Sequence, residues 1–253
     1  LEEKKGHTFS TIDTGEGFEV KAKDLSYKFS DSETLALNDL NFEFKPNERI
    51  CIAGYNSSGK STLLKIFTGV YHGFEGELTY NGMPVKAINP DELRRHVGDH
   101  SQQEDLFDGS LAENITLGSI DCNVEMMLWA IEAVGLKTWF TSLPNGLDTE
   151  ILPGGQTLPG AVKEKIILAR SIVNQPRLLA IEEFLNQMEP SEKLRLVDFL
   201  VDRKHKWTLV IISNDPTVAK ACDRVVVMRK GKILENGSYE DIQNSEYCQT
   251  LFN

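Results

Sequence analysis

Several features are scarce or missing in this sequence of 253 residues. Cysteine is sparse and widely spaced, with no CxxC pair and no zinc-type spacing, a usage typical of reduced and mostly buried thiols. The cysteines are Cys51, Cys122, Cys222 and Cys248. No apolar run approaches the roughly 18 residues that a membrane-spanning helix needs, and no signal peptide opens the chain. The first residue is Leu1 rather than Met, so we expect a piece of a longer protein.

Positive charge is also in short supply. The net charge is -11, with 27 Lys and Arg against 38 Asp and Glu, and there is no basic tail. Because nucleic-acid binding depends on neutralising phosphates with Lys and Arg, we expect no nucleic-acid partner. Hydrophobic residues make up 40% of the chain, which is enough for a globular core.

The pattern along the chain predicts an α/β fold. Residues 1–18 are polar and predict a linker, and residues 19–253 form the predicted domain. After residue 163, short apolar segments alternate with amphipathic helices, which favours a mostly parallel sheet flanked by helices. Residues 74–85 predict a hairpin that turns at Asn81-Gly82, and residues 224–237 predict a single strand. Residues 103–160 are mainly helical and indicate an inserted helical subdomain.

The strongest motif is "GYNSSGKST", residues 54–62, between a predicted strand and a predicted helix. It matches G-x-x-x-x-G-K-[ST], a loop whose backbone N–H groups point at phosphate oxygens. The lysine can reach the β- and γ-phosphates, and the serine hydroxyl can bind Mg²⁺. The predicted nucleotide-binding residues of this loop are Asn56, Ser57, Ser58, Gly59, Lys60, Ser61 and Thr62.

Further segments, in order and register, make nearly the whole chain resemble the nucleotide-binding domain of ATP-binding-cassette transporters. "LSYKF", residues 25–29, resembles the strand that carries the adenine-stacking aromatic, which places Phe29 at that position with Tyr27 on the same side. The resemblance implies a P-loop ATPase core with an N-terminal antiparallel β-subdomain. It also implies ATP and Mg²⁺ as cofactors. Two core aromatics are the alternative interpretation of Tyr27 and Phe29.

Three acidic or amide side chains fall on catalytic or metal-binding positions of that family. "HSQQEDLFDGS" resembles the exporter-type Q-loop and places Gln102 where the family contacts Mg²⁺ or the attacking water. "RLLAIEE" resembles Walker B, with Glu182 on the metal-shell position, where the family has Asp, and Glu183 on the general-base position. A solvated strand end is the alternative interpretation of the two glutamates.

Two other positions depart from the family. The signature Leu-Ser-Gly-Gly-Gln aligns with Leu158, Pro159, Gly160, Ala161 and Val162. Pro159 has neither the hydroxyl nor the N–H that the family offers to ATP on an opposing subunit. The family's switch histidine, a catalytic residue that contacts the γ-phosphate, aligns with Asn214, which can donate a hydrogen bond but cannot carry charge. The resemblance therefore implies weakened hydrolysis, since losing one preorganised donor costs about 10²–10³ in rate.

These segments lead to one main hypothesis and three alternatives, one of which is a cytosolic cassette of the same family without a role in transport. The main hypothesis is the ATPase domain of an exporter, on the cytoplasmic face of the cell membrane. It would be fused to an upstream transmembrane domain, paired with a second nucleotide-binding domain through residues 158–162, and engaged in peptide or protein export. The first alternative is a catalytically degenerate ATP-binding clamp. The second is a P-loop kinase, although residues 103–150 contain Lys137 as their only basic residue and no Arg for a lid.

Overall fold

The computed structural model describes residues 15–100, 105–182 and 188–252, which form a mixed α/β fold. The strands of these residues are β1 (Val20–Tyr27), β2 (Leu37–Phe44), β3 (Arg49–Gly54), β4 (Glu75–Tyr80), β5 (Met83–Pro84), β6 (Val97–His100), β7 (Gly109–Ser110), β8 (Glu150–Ile151), β9 (Leu178–Glu182), β10 (Thr208–Ile212), β11 (Arg224–Arg229) and β12 (Lys232–Gly237). The helices are α1 (Lys60–Phe67), α2 (Pro90–Arg95), α3 (Leu111–Thr116), α4 (Val124–Ala133), α5 (Lys137–Thr141), α6 (Gly160–Ile172), α7 (Pro190–Val201), α8 (Pro216–Ala221), α9 (Tyr239–Ile242) and α10 (Glu246–Phe252).

The central sheet has the strand order β12-β11-β3-β10-β9-β6. Its strands pair in parallel from β11 to β6, and β12 pairs antiparallel with β11 at the edge. Alternate residues of a strand point to opposite faces of the sheet, so the side chains on the two faces belong to two separate hydrophobic cores. Cys51 and Ala53 of β3 pack with residues of α4, α6 and α7, whereas Ile50 and Ile52 pack with α1 and the antiparallel strands. The predicted mostly parallel sheet is confirmed.

An antiparallel sheet of order β2-β1-β4-β5 covers one side of α1. The β4–β5 connection is the predicted Asn81-Gly82 turn, in which both residues have positive φ values, 48° and 77°. Such values define the tight turn that matches the twist of a hairpin. The rings of Phe42 and Phe44 lie 4.9 and 5.3 Å from that of Phe67 in α1, so aromatic packing fixes the sheet on the helix.

Helices α3, α4 and α5 occupy much of the region predicted as a helical subdomain. A capping box opens α3, because the Ser110 side chain accepts from the Glu113 N–H while the Glu113 carboxylate accepts from the Ser110 N–H. Leu111, Ile115 and Ile131 are buried against the core that contains α6. The boundary of the subdomain at residues 103 and 160 stays a prediction.

The prediction of a single strand over residues 224–237 is wrong. The segment is a hairpin of β11 and β12, with Lys230 and Gly231 at its turn and φ values of 48° and 72°. A Cβ atom on Gly231 would lie 2.7 Å from the carbonyl oxygen of Ala36, which explains the glycine. The Gly231 N–H donates to the carbonyl of Ser58 at 2.9 Å, so this turn supports the phosphate loop.

Phe18, the last residue of the predicted linker, is packed in the core of the domain. Phe18 is 2% exposed, and its N–H donates to the carbonyl of Arg177 at 3.0 Å. Among the helices that the structure describes, none has both the length and the apolar character required to cross a membrane.

Candidate functional site

The predicted phosphate loop connects β3 to α1 at the carboxyl edge of the central sheet. β3 ends at Gly54 and α1 begins at Lys60, with Gly59 as its N-cap residue. A Cβ atom on Gly54 would lie 2.4 Å from the carbonyl oxygen of Met228, and one on Gly59 would lie 2.7 Å from that of Ala36. Gly59 also has a φ of 101°. Both glycines are therefore required for the loop to curl so close to neighbouring backbone.

Lys60 folds back over the loop rather than extending into solvent. The residue is 7% exposed, and its Nζ donates to the carbonyl oxygens of Gly54 at 2.6 Å and Tyr55 at 3.0 Å. A buried ammonium needs acceptors, and the oxygens of a phosphate group are alternatives to these carbonyls. The structure thus places the ammonium of Lys60 against the backbone of the loop, and its contact with phosphate stays a prediction.

Ser61 and Glu182 meet although 121 residues separate them. The Ser61 hydroxyl donates a hydrogen bond to Oε1 of Glu182, the last residue of β9. Glu182 is 7% exposed, so a solvated strand end does not describe it. The serine hydroxyl and the carboxylate are hard oxygen donors, which is the ligand chemistry that Mg²⁺ prefers.

A cavity of about 230 Å³ lies between the loop and Glu182. Its walls include the predicted binding residues Asn56, Ser57, Ser58, Gly59, Lys60, Ser61 and Thr62. Ser58 is 3% exposed, and its Oγ has no hydrogen-bond partner among the described residues. A buried hydroxyl without a partner is costly, and a phosphate oxygen at the loop would satisfy it. The residues present therefore fit a magnesium nucleotide.

Tyr27 and Phe29 form an aromatic group together with Tyr71, which the sequence analysis missed. The Tyr27 and Tyr71 rings stack at 5.6 Å with an interplanar angle of 5°, and Phe29 meets both rings edge-on at 5.0 and 5.7 Å. Nζ of Lys65, in α1, lies 5.4 Å from the centre of the Tyr71 ring. Tyr71 follows α1 by only four residues. This position close to the phosphate-loop helix was the signal in the sequence that could have placed Tyr71 near the nucleotide site.

Asn214 lies beside the phosphate loop, two residues after β10. Its Oδ1 accepts from the N–H of Gly54 at 2.9 Å, and its Nδ2 donates to the carbonyl of Gly54 at 3.2 Å. The resemblance predicts a catalytic role for Asn214 at the family's switch position and does not indicate a contact with Gly54. The structure brings Asn214 to the loop backbone.

The segment aligned with the signature lies at the start of α6. Pro159 is the N-cap residue and Gly160 the first helical residue, and both are exposed, whereas Leu158 packs against the core. The similar-looking Pro153-Gly154-Gly155 forms a separate short 3₁₀ turn before the helix. An exposed helix start can face another protein, and Pro159 removes one N–H from that surface.

Two predicted catalytic residues, Gln102 and Glu183, lie outside the described residues. Gln102 follows β6 by two residues and Glu183 directly follows β9, so the chain positions are next to described strands. Their roles stay predictions.

Comparison with known proteins identifies the family. The sequence profile of the family described as "ABC transporter" matches residues 37–186, more than half of the chain. The chain belongs to this family. The match favours the cassette over the kinase alternative, and ATP is the nucleotide of such domains. The degenerate-clamp alternative receives no support from the comparisons.

Two relatives agree with this assignment. The chain is 30% identical over 235 residues to the ATP-dependent lipid A-core flippase of Pseudomonas aeruginosa, covering 91% of this chain and 39% of that protein. It is 28% identical over 228 residues to the leukotoxin translocation ATP-binding protein LktB of Mannheimia glucosida, covering 90% and 32%. The chain thus spans less than half the length of these relatives.

A solved structure, that of a bacterial Atm1-family ABC exporter with ATP bound, matches with a TM-score of 0.85. The match covers 95% of this chain and 45% of that chain at 22% identity. It confirms the predicted fold, a P-loop ATPase core with parallel and antiparallel sheets.

Proposed function

We propose that this chain is the ATP-binding and ATP-hydrolysing domain of an exporter, in which ATP binding and hydrolysis drive transport across a membrane. One observation carries the proposal: Lys60, Ser61 and Glu182 converge on a cavity next to the curled loop. The two relatives named above are a flippase and a translocation protein, which supports an exporter over other members of the family.

Separate residues bind the magnesium ion, activate the attacking water and contact the adenine. Ser61, Glu182 and Gln102 would hold Mg²⁺, which would polarise the phosphates, and Glu183 would serve as the general base. Phe29 would stack on the adenine, with the Tyr27 ring edge-on beside it, and such stacking is worth about 1–3 kcal/mol. Hydrolysis is slow, because Pro159 presents no N–H to an opposing site and the side chain of Asn214 is neutral.

The partners are a transmembrane domain in the same polypeptide and a second nucleotide-binding domain. The second domain faces the exposed start of α6, residues 158–162. A groove of about 270 Å³ suits the transmembrane partner, since Val70 and Leu117 in its lining are 52% and 61% exposed. The domain then lies on the cytoplasmic face of the cell membrane. Peptide or protein cargo is proposed from the likeness to the leukotoxin translocation protein.

Isothermal titration calorimetry with Mg·ATP tests the proposal. We expect the 253-residue chain to bind at micromolar to millimolar concentrations, with phosphate release that is measurable but slow. Lys60→Ala removes the buried ammonium and should abolish detectable binding, whereas Lys23→Ala, on the exposed surface of β1, should not change it. The proposal would be refuted if the wild-type chain gave no heat of binding with Mg·ATP, or if Lys60→Ala bound Mg·ATP equally well.

A further inference from the structure

The side chain of Asn214 makes with Gly54 the pair of hydrogen bonds that the backbone of a neighbouring strand would otherwise make. In a sheet, the N–H and C=O of one residue point toward the same neighbouring strand. That strand supplies a carbonyl to accept from the N–H and an N–H to donate to the C=O. The Asn214 amide supplies both to Gly54, through Oδ1 at 2.9 Å and Nδ2 at 3.2 Å. The ring nitrogens of a histidine diverge, so an imidazole could not meet both groups of Gly54 in this way.

This pairing begins where the backbone pairing of β10 and β3 stops. The last paired residues are Ile212 and Ile52, and the Ser213 N–H still donates to the carbonyl of Ile52 at 3.1 Å. Asn214 then carries the contact to Gly54, which is the last residue of β3 and the first of the phosphate loop. The side chain therefore holds the point from which the loop starts to curl.

The carbonyl of Gly54 receives two donors, Nδ2 of Asn214 and Nζ of Lys60 at 2.6 Å. If Lys60 turns toward a bound phosphate, this buried carbonyl loses one of them. A buried carbonyl without a donor is costly, so the remaining bond from Asn214 lowers the cost of moving the lysine. The bond from Asn214 thus supports Gly54 whether or not the lysine has turned away.

We propose that Asn214 is a positioning residue, which sets the affinity of the phosphate loop for the α- and β-phosphates by holding Gly54. The inference rests on the proposed ATP binding and assigns Asn214 a different role from the γ-phosphate contact expected of its position. A loop-positioning residue affects ATP and ADP alike, because the loop holds phosphates that both nucleotides carry. A γ-phosphate contact affects ATP alone.

The test measures Kd values of Mg·ATP and Mg·ADP for the 253-residue chain and its variants. Asn214→Ala removes both hydrogen bonds, and we expect both Kd values to rise by a similar factor of about 5 to 100. Asn214→Asp keeps the shape and the acceptor but loses the donor and adds a negative charge beside Lys60. We expect it to weaken both nucleotides at least as much, and it replaces the alanine variant if that variant does not fold.

Asn41→Ala is the matched control, because Asn41 also makes two bonds to backbone groups. It accepts from the Asp24 N–H at 3.0 Å and donates to the Asp39 carbonyl at 3.4 Å, on the antiparallel sheet. Its loss should lower the melting temperature without changing either Kd. If Asn214→Ala lost affinity for ATP and kept its affinity for ADP, or if neither affinity changed, the inference would be overturned and the proposed function would not. An unchanged chain that binds neither nucleotide would overturn the proposed function and this inference with it.

Discussion

Replacing Glu182 with glutamine tests whether the carboxylate at the end of β9 serves magnesium. The change keeps the size of the side chain and an acceptor for the Ser61 hydroxyl, but it removes the negative charge. Because Glu182 is 7% exposed, little water screens that charge. Two unit charges about 4 Å apart interact by about 1 kcal/mol in bulk water and about 4 kcal/mol near a protein surface.

We therefore expect Glu182→Gln to weaken ATP binding by roughly 10- to 100-fold when Mg²⁺ is present, which corresponds to about 1.4–2.8 kcal/mol. With EDTA in place of Mg²⁺, the affinity should stay the same or increase, since the carboxylate then only repels the phosphates. The melting temperature without nucleotide should change little, because the Ser61 hydrogen bond is retained.

The assay is calorimetry with ATP in EDTA and in millimolar Mg²⁺, on the unchanged chain and on Glu182→Gln. Glu77→Gln, on the exposed surface of β4, is the control for loss of one negative charge. An equal loss of affinity in both buffers would show that Glu182 acts on the loop and not on the metal. No loss of affinity in Mg²⁺ for Glu182→Gln would refute the reasoning outright.

Two further predictions concern Phe29 and His205. Phe29→Ala should raise the Kd of Mg·ATP by roughly 5- to 150-fold through the lost stacking, while Phe29→Tyr should restore it, and inorganic triphosphate binding should not change. Burial lowers the pKa of His205 from its usual 6.5, and its ring stacks 4.3 Å from that of Trp207. Because the unfolded chain then binds the proton more readily, stability should fall as pH drops below about 6.5. His205→Gln should reduce that fall, measured by chemical denaturation across the pH range; an unchanged slope would contradict the assignment.

The phosphate loop was predictable because its chemistry is local. A strand, two glycines at fixed spacing and a helix beginning at Lys60 are all contained in a short stretch of sequence. The contact between Ser61 and Glu182 spans 121 residues, and only the resemblance to a known family placed the two on one metal. Physical reasoning on the residues alone could not have joined them.

Other contacts were missed because they depend on tertiary position. Tyr71 joins Tyr27 and Phe29 only where the end of α1 meets the end of β1. The run of residues 224–237 resembles one strand, because the Lys230-Gly231 turn interrupts it with only two residues. The pairing of Asn214 with Gly54 uses a side chain in place of backbone, which no periodicity indicates.

The supports of the phosphate loop come from several strands of one sheet. Its first residue, Gly54, ends β3 and is held by Asn214 after β10, and its Ser58 carbonyl accepts from Gly231 in the β11–β12 turn. Ser61, in the first turn of α1, is held by Glu182 at the end of β9. A shift of any of these strand ends changes the geometry offered to the phosphates. Nucleotide binding should therefore be most sensitive to substitutions at these contacts, even where the side chain never reaches the ligand.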